Sequence, residues 1–471
     1  MKVLICIPCL LTGGTEIQTL NTVHALVQGG HEVTVACYFE HTPYMVERYR
    51  KAGAEVILFS PEGARTSGYR TILYLYKHLR HAIRMVRPDV AHVQYMAPGA
   101  TVILLLWLMG VKNIIATAHT AADIYKDLRL IHFLQCRCLR AWTCITERAE
   151  RSFFGTSQLY TPATVLGKRN HFTIYNALPF RCSERLKAAE QRLIATGSQV
   201  NVAEQRLKDT QSQGDDLPAT PLRLTSSTAA INDNDPPKSS PLTAHRSQPI
   251  DSVQDNLTQN TQTSQNGKSL TPLLASGVSG ESSLLTAHRS QPNTLGVVSR
   301  LEAIKGMDLV VPAFAEVLKQ HPDTQLLVVG DGSLRASMEQ QAVELGCADH
   351  ITWVGRQPQE ELPQWYGQMD IVLMPSRSEG FGLTAIEAMA SGCVMVASNV
   401  GGLPEVVHHG ECGLLHRTED IADMASQVCT LINDKELYDR LQAQSLREVE
   451  KYSFERYAEL VNNLYTKLHN K

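Results

Sequence analysis

Short apolar runs alternate with amphipathic stretches in two separate series along this chain, and that alternation limits its fold more than any other feature. In the first series Lys2–Ile7, His31–Cys37, Glu55–Phe59, Asp89–Gln94 and Ile114–Ala118 read as strands. A loop with Gly13 and Gly14 follows the first of them and leads into a helix from about Glu16 to Gly29. In the second series Leu295–Ser299, Gln325–Val329, Ile351–Val354, Ile371–Met374 and Val394–Ala397 read as strands. Val310, Phe314, Val317 and Leu318 recur between the first two at helical spacing. Strands spaced by helices predict an α/β fold with a parallel sheet wound on both faces. Two series predict two doubly wound domains facing each other across a cleft, with ligands outside the carboxyl ends of the strands.

A length of 471 residues suits two or three domains. The boundaries read as 1–180 for the first domain, 181–294 for a linker, 295–450 for the second domain and 451–471 for a terminal helix. From about 197 to 292 the linker is rich in Ser, Thr, Gln, Asn, Asp and Pro, with almost no aromatics. Such a segment buries too little apolar surface to offset its ordering entropy, so a disordered inter-domain insertion is expected. It holds a direct repeat, LTAHRSQP at 242–249 and 285–292, which is too few copies for a solenoid. It also holds Asp233-Asn-Asp235, a D-x-D without a flanking strand, and no metal site is read from it.

The net charge of −3 hides an asymmetry: residues 1–180 carry +8, 181–294 carry 0 and 295–471 carry −11. A basic first domain suits an anionic acceptor or a membrane surface. Lys126–Trp142 mixes four basic residues with Leu128, Phe133, Leu134 and Trp142, as a helix lying on an anionic leaflet would. The same residues also suit a core-packed helix with solvated arginines. No nucleic-acid signature is present. The 11 cysteines include Cys6, Cys37, Cys393 and Cys429 in apolar settings, which reads as reduced thiols in a cytoplasmic protein. Cys6-x-x-Cys9 and Cys136-x-Cys138 lack a second pair at zinc-finger spacing, so no metal is expected. The start, MKVLICIPCLL, reads as a buried strand and loop and not as a secretory signal. Val102–Met109 is far shorter than the ~20 residues that span a bilayer and reads as a buried helix.

Two motifs carry chemistry. In SRLEAIKG, Arg300 follows a strand end and Lys305 precedes Gly306, so two cations flank a position where a diphosphate could be held. In SRSEGFGLT, a strand end leads through Glu379, Gly380, Phe381 and Gly382 into a helix that begins near Leu383 and Thr384 and contains Glu387. Amides at such a helix start are unpaired donors suited to phosphate. Glu379 before the helix and Glu387 one turn inside it place two carboxylates at different depths.

These stretches resemble the family 4 retaining glycosyltransferases, whose fold, GT-B, has two Rossmann-like domains. The resemblance covers about residues 1–180 and 295–471. It rests on GGTE at 13–16, ATAHT around His119, IYNALP at 174–179, VVSRLEAIKG, VVGDGS, ITWVGR, PSRSEGFGLTAIEAMASG and VASNVGGLPEVV. It implies that Arg300 and Lys305 neutralise the donor diphosphate, that Glu379 meets the donor sugar and that Glu387 binds the ribose. It implies that Phe381, Gly382, Leu383 and Thr384 contact phosphates and sugar, and that Gly14 lets the first loop approach the diphosphate. His119 is implied beside the sugar, with Gly355, Arg356 and Gln357 lining the base pocket. The catalytic set would be His119, Glu379, Arg300 and Lys305. The implied reaction moves a sugar from a nucleotide sugar, UDP by preference, to a polysaccharide, glycolipid or other hydroxyl acceptor, with retention and without cofactor or metal. In the same family the last helix packs back on the first domain. Ser299 and Ala177 stand where glycine is commoner. An epimerase or phosphorylase on a similar fold, or a paralogue that binds nucleotide without turnover, are the alternatives.

Overall fold

A computed structural model of the chain describes residues 1–63, 65, 68–94, 99–125, 128–167, 169–179 and 291–469. The low-complexity segment, the D-x-D, the first copy of the octapeptide and most of the second, and Lys126 lie outside the described residues.

The first domain has strands β1 (Lys2–Ile7), β2 (Glu32–Cys37), β3 (Glu55–Leu58), β4 (Val90–Gln94), β5 (Ile114–Ala118), β6 (Ala141–Cys144) and β7 (His171–Thr173). They form one parallel sheet in the order β3-β2-β1-β4-β5-β6-β7. Its helices are α1 (Gly14–Gln28), α2 (Pro43–Lys51), α3 (Tyr69–Val86), α4 (Gly99–Leu108), α5 (Arg129–Arg137) and α6 (Glu147–Phe154). The second domain repeats the plan with β8 (Thr294–Val298), β9 (Gln325–Val329), β10 (Ile351–Gly355), β11 (Ile371–Met374), β12 (Val394–Ser398) and β13 (Gly413–His416). Their order is β10-β9-β8-β11-β12-β13, again parallel. The helices are α7 (Val310–Leu318), α8 (Arg335–Glu344), α9 (Leu362–Tyr366), α10 (Leu383–Ala390), α11 (Leu403–Val407), α12 (Ile421–Asn433), α13 (Lys435–Glu448) and α14 (Phe454–His469).

Burial explains the pattern. Every residue of β4, β6, β11 and β12 is buried, as strands covered on both faces must be. Each sheet therefore has two cores. In the first domain one core lies under α3, α4 and α5, and the other lies under α1 and α14. The terminal helix α14 crosses from the second domain onto the first. Its Asn462 amide donates to the Ala25 carbonyl at 2.9 Å, and Tyr457 and Thr22 share a hydroxyl hydrogen bond of 2.8 Å. In both sheets the strand order reverses beside the central strand, between β1 and β4 and between β8 and β11, which places a crevice at each carboxyl edge.

Several sequence expectations change. Helix α1 starts at Gly14, two residues early, because Gly13 in extended backbone ends the loop. Strands β6, β7 and β13 were not anticipated: they have four, three and four residues, and β13 begins with a glycine. Lys126–Trp142 is not one helix. Among its described residues only Arg129–Arg137 is helical, and Trp142 sits in β6, wholly buried with ring contacts of 5.3 Å to Phe153 and to Phe154. Trp142 is a core residue whose truncation to alanine would cost about 3–5 kcal/mol, and it cannot face a membrane. The apolar run 102–109 is helical as far as Leu108, yet its end emerges, with Trp107 42% and Leu108 65% exposed. Lys305 does not directly precede a long helix, since two 3-10 turns, Ala303–Lys305 and Met307–Leu309, intervene before α7.

Candidate active site

The cleft is built where the crevices of the two sheets meet. From the second domain comes the loop between β11 and α10. Gly382 caps α10 with φ +102, a left-handed conformation that side chains resist, and no side chain caps the helix. The first inward bond runs from the Ala385 amide to the Gly382 carbonyl at 3.0 Å, leaving the amides of Leu383 and Thr384 without an acceptor among the described residues. From the first domain comes the start of α1. A Cβ on Gly14 would stand 3.5 Å from the Leu383 side chain, so two helix N-termini converge on one space. Each end carries roughly half a positive charge. A little further along, Gly380 passes so close to the first domain that a Cβ there would lie 2.5 Å from the His119 carbonyl oxygen.

The two glutamates are held differently. Lys305 Nζ reaches Glu379 Oε2 at 2.7 Å, with both side chains mostly shielded. Sequence reasoning set this cation against a diphosphate and this carboxylate against a sugar; the structure joins them to each other. Glu387 is buried. It accepts from the Tyr366 hydroxyl at 3.2 Å on Oε2 and from the Gln359 amide at 3.1 Å on Oε1. Burial pushes its carboxyl up to about 7, against the pull of those two donors.

Arg300 is exposed at the end of β8, and its charge is felt by Glu16 in the first turn of α1. Burial pushes the Glu16 carboxyl above its usual range; the Cys9 thiol, which donates at 3.1 Å, and the charge of Arg300 oppose this. Phe381 is buried in an aromatic cluster with Tyr175 and Tyr452. Gly355, at φ +80, ends β10 on the sheet edge; Arg356 is exposed, and the Gln357 amide donates to the Val354 carbonyl at 3.4 Å. The chain beyond them reaches Gln359, so this edge connects to Glu387.

His119 is buried, and its Nε2 meets Gln94 Oε1 at 2.7 Å. Burial lowers its pKa to about 3, so the ring is neutral at neutral pH. The Gln94 amide reaches His92 Nε2 at 3.3 Å, and His92 Nδ1 meets the Tyr465 hydroxyl of α14 at 2.6 Å. A small cavity of about 20 Å³ lies among these groups.

Sequence reasoning missed Gln359, Tyr366 and Gln94, the partners of Glu387 and His119. It also missed Glu405 of α11, which accepts from the amides of Glu147 and Arg148 at 2.8 and 2.5 Å and so caps α6 across the cleft. Only Glu405 had a local signal, an acid just after proline at a helix start. Arg377, inside the glutamate motif, grips Asp308 at 2.6 and 2.8 Å and also pairs with Glu419, which gives it a structural role.

Residues 12–154 match the model of Glycosyltransferase Family 4, and residues 285–447 match that of Glycosyl transferases group 1. Part of the chain resembles D-inositol 3-phosphate glycosyltransferases. The protein from Nocardia farcinica is 40% identical over 159 residues, 32% of this chain and 35% of that protein. The one from Mycobacteroides abscessus is 44% identical over 139 residues, 28% and 30% of the two chains. The chain thus spans about a third of the length of these curated relatives. Anabaena HepE in complex with UDP superposes with a TM-score of 0.63 at 14% identity, over 99% of this chain and 100% of that one, a likeness of fold. The two family models together span more than half of the sequence and fall one on each domain, and the chain belongs to the family 4 glycosyltransferases of GT-B fold.

Proposed function

We propose that this protein transfers a sugar, with retention, from a UDP-sugar to a hydroxyl group of a carbohydrate or lipid-linked acceptor. The observation that carries the reading is the convergence of two helix N-termini beside the Lys305–Glu379 pair, with the buried Glu387 one turn inside α10. The amides and Lys305 with Arg300 would hold the diphosphate, and Glu387 would accept from the ribose hydroxyls. HepE, of like fold, is described in complex with UDP and with UDP-glucose, which favours a uridine carrier.

In the proposed reaction the bond between the sugar's anomeric carbon and the β-phosphate oxygen breaks, and the electron pair leaves with UDP. The acceptor oxygen bonds to the same face of the carbon, and its proton passes to a phosphate oxygen. Cations and amides aimed at the leaving diphosphate gain most as its charge develops, so they lower the barrier. Charge neutralisation by protein groups makes activity insensitive to chelators. Glu379, paired with Lys305, orients the sugar and does not act as nucleophile.

Calorimetric titration with UDP, GDP and ADP, beside an Arg300→Ala/Lys305→Ala variant, tests the reading. Saturable UDP binding that the variant loses supports it. Folded protein that binds none of the three overturns it.

A further inference from the structure

We propose that the outer surface of helices α3, α4 and α5 docks this protein on an anionic lipid bilayer. The three helices lie side by side over one face of the first sheet and share one core beneath them. None contains an aspartate or glutamate. Helix α3 carries Arg70, Lys77, Arg80 and Arg84, and α5 carries Arg129 and Arg137. Between them, α4 has no charged residue. An apolar helix flanked by two purely basic ones is an unusual outer layer for a chain whose net charge is −3.

Helix α3 shows why a bilayer fits this surface. Leu75, Leu79 and Ala82 form the stripe that faces the core. A second apolar stripe, Tyr69, Leu73 and Tyr76, follows the same helical spacing on another side and is 71, 63 and 42% exposed. Arg80 and Arg84 continue that stripe, and Arg80 donates to the Tyr76 hydroxyl at 3.2 Å. The neighbouring helices add Leu108, Leu130 and Phe133, exposed by 65, 55 and 48%. Monomeric surfaces rarely gather so many large apolar side chains without a partner. Cations interleaved with them suit acyl chains below and anionic headgroups around. An acidic protein or a nucleic acid would satisfy the cations and leave the aliphatic side chains in water.

No helix among the described residues is long and apolar enough to cross a membrane, so the contact is one of surface docking. The geometry moves the membrane face away from Trp142, which is buried, and onto a layer to which the stretch 126–142 contributes helix α5. The surface is independent of the nucleotide site and stands or falls without it.

The test is co-sedimentation of the full chain with vesicles of phosphatidylcholine alone and of phosphatidylcholine with about a third phosphatidylglycerol, at low and high salt. Each basic side chain near an anionic surface contributes about 1 kcal/mol. Replacing three, Lys77→Gln, Arg80→Gln and Arg84→Gln, should weaken partition about 100-fold. Leu73→Ser with Phe133→Ser should weaken it as well. Thermal melting shows whether each variant stays folded, as exposed substitutions should allow. Binding to anionic vesicles that falls with salt and in both variants supports the proposal. Absence of binding, equal binding to both lipids, or unchanged binding by folded variants overturns it, and so does retention by RNA without retention by vesicles.

Discussion

A buried carboxyl group raised towards neutrality would make the proposed nucleotide binding depend on pH. Glu387 is raised to about 7 because it is buried, with only Tyr366 and Gln359 donating to it. If the carboxylate is the form that accepts from ribose hydroxyls, the proton must leave before UDP binds well. Below pH 7 the affinity for UDP then falls by up to about tenfold per unit, since one pKa unit is worth 1.36 kcal/mol. Above about pH 8 it is flat. Binding releases a proton, so calorimetric enthalpies near pH 6.5 change with the ionisation heat of the buffer. Glu387→Gln lowers affinity at high pH and removes the dependence. A parent affinity that is constant from pH 6 to 8 would refute the role given to this carboxyl. The sign for folding is the reverse. The native state holds this proton more tightly than the unfolded chain does, so between about pH 4.5 and 7 stability drops as pH rises.

Short elements set the geometry between the domains, and they were the least visible in the sequence. Glu405 of α11 lies 258 positions from Glu147 yet accepts from the first amides of α6, while Thr146 takes the amide of Ala149 at 3.0 Å. Removing a cap of this kind costs about 0.5–2 kcal/mol. Glu405→Ala should therefore loosen the closed arrangement, seen as a larger radius of gyration in small-angle scattering, and lower kcat. UDP affinity should stay within about twofold, because a shift of 0.4 kcal/mol is already a factor of two and the cap lies outside the proposed nucleotide site. An unchanged scattering profile would count against the cap as a closure contact. The same contrast marks what was readable. Ile114–Ala118, Gln325–Val329 and Ile371–Met374 were found with their bounds because each is a short apolar run with a clear end. Strands β7 and β13 were not, having three and four residues and no alternation. The glutamates were legible because they share one local motif. Their partners were not: Gln359 and Tyr366 come from 28 and 21 positions away, and only the packing of α9 and its preceding turn against α10 brings them in.

At the scale of the molecule, the chain must join two domains through a segment whose composition suits no core. Both family models fall outside it, at 12–154 and, but for its last residues, at 285–447. The described residues already close the two domains on each other without it, through Glu405, through Arg48 with Gln359 at 3.2 Å, and through α14 on α1. Excising residues 197–283 should then leave the fold intact. The remaining connection would be roughly 24 residues, with a reach of about 80 Å at full extension. That exceeds the diameter of roughly 55 Å expected for a compact body of this size. Closure entropy grows by only about 0.6 kcal/mol per doubling of loop length, so the shorter loop stabilises the fold by roughly 1.3 kcal/mol. The shortened protein should melt about one to two degrees higher and bind UDP within about twofold of the parent. A lower melting temperature, or lost UDP binding by a folded variant, would assign the excised residues a part in the structure or the site. Unchanged binding would place the whole nucleotide site in the residues that the two sheets, α1 and α10 already bring together.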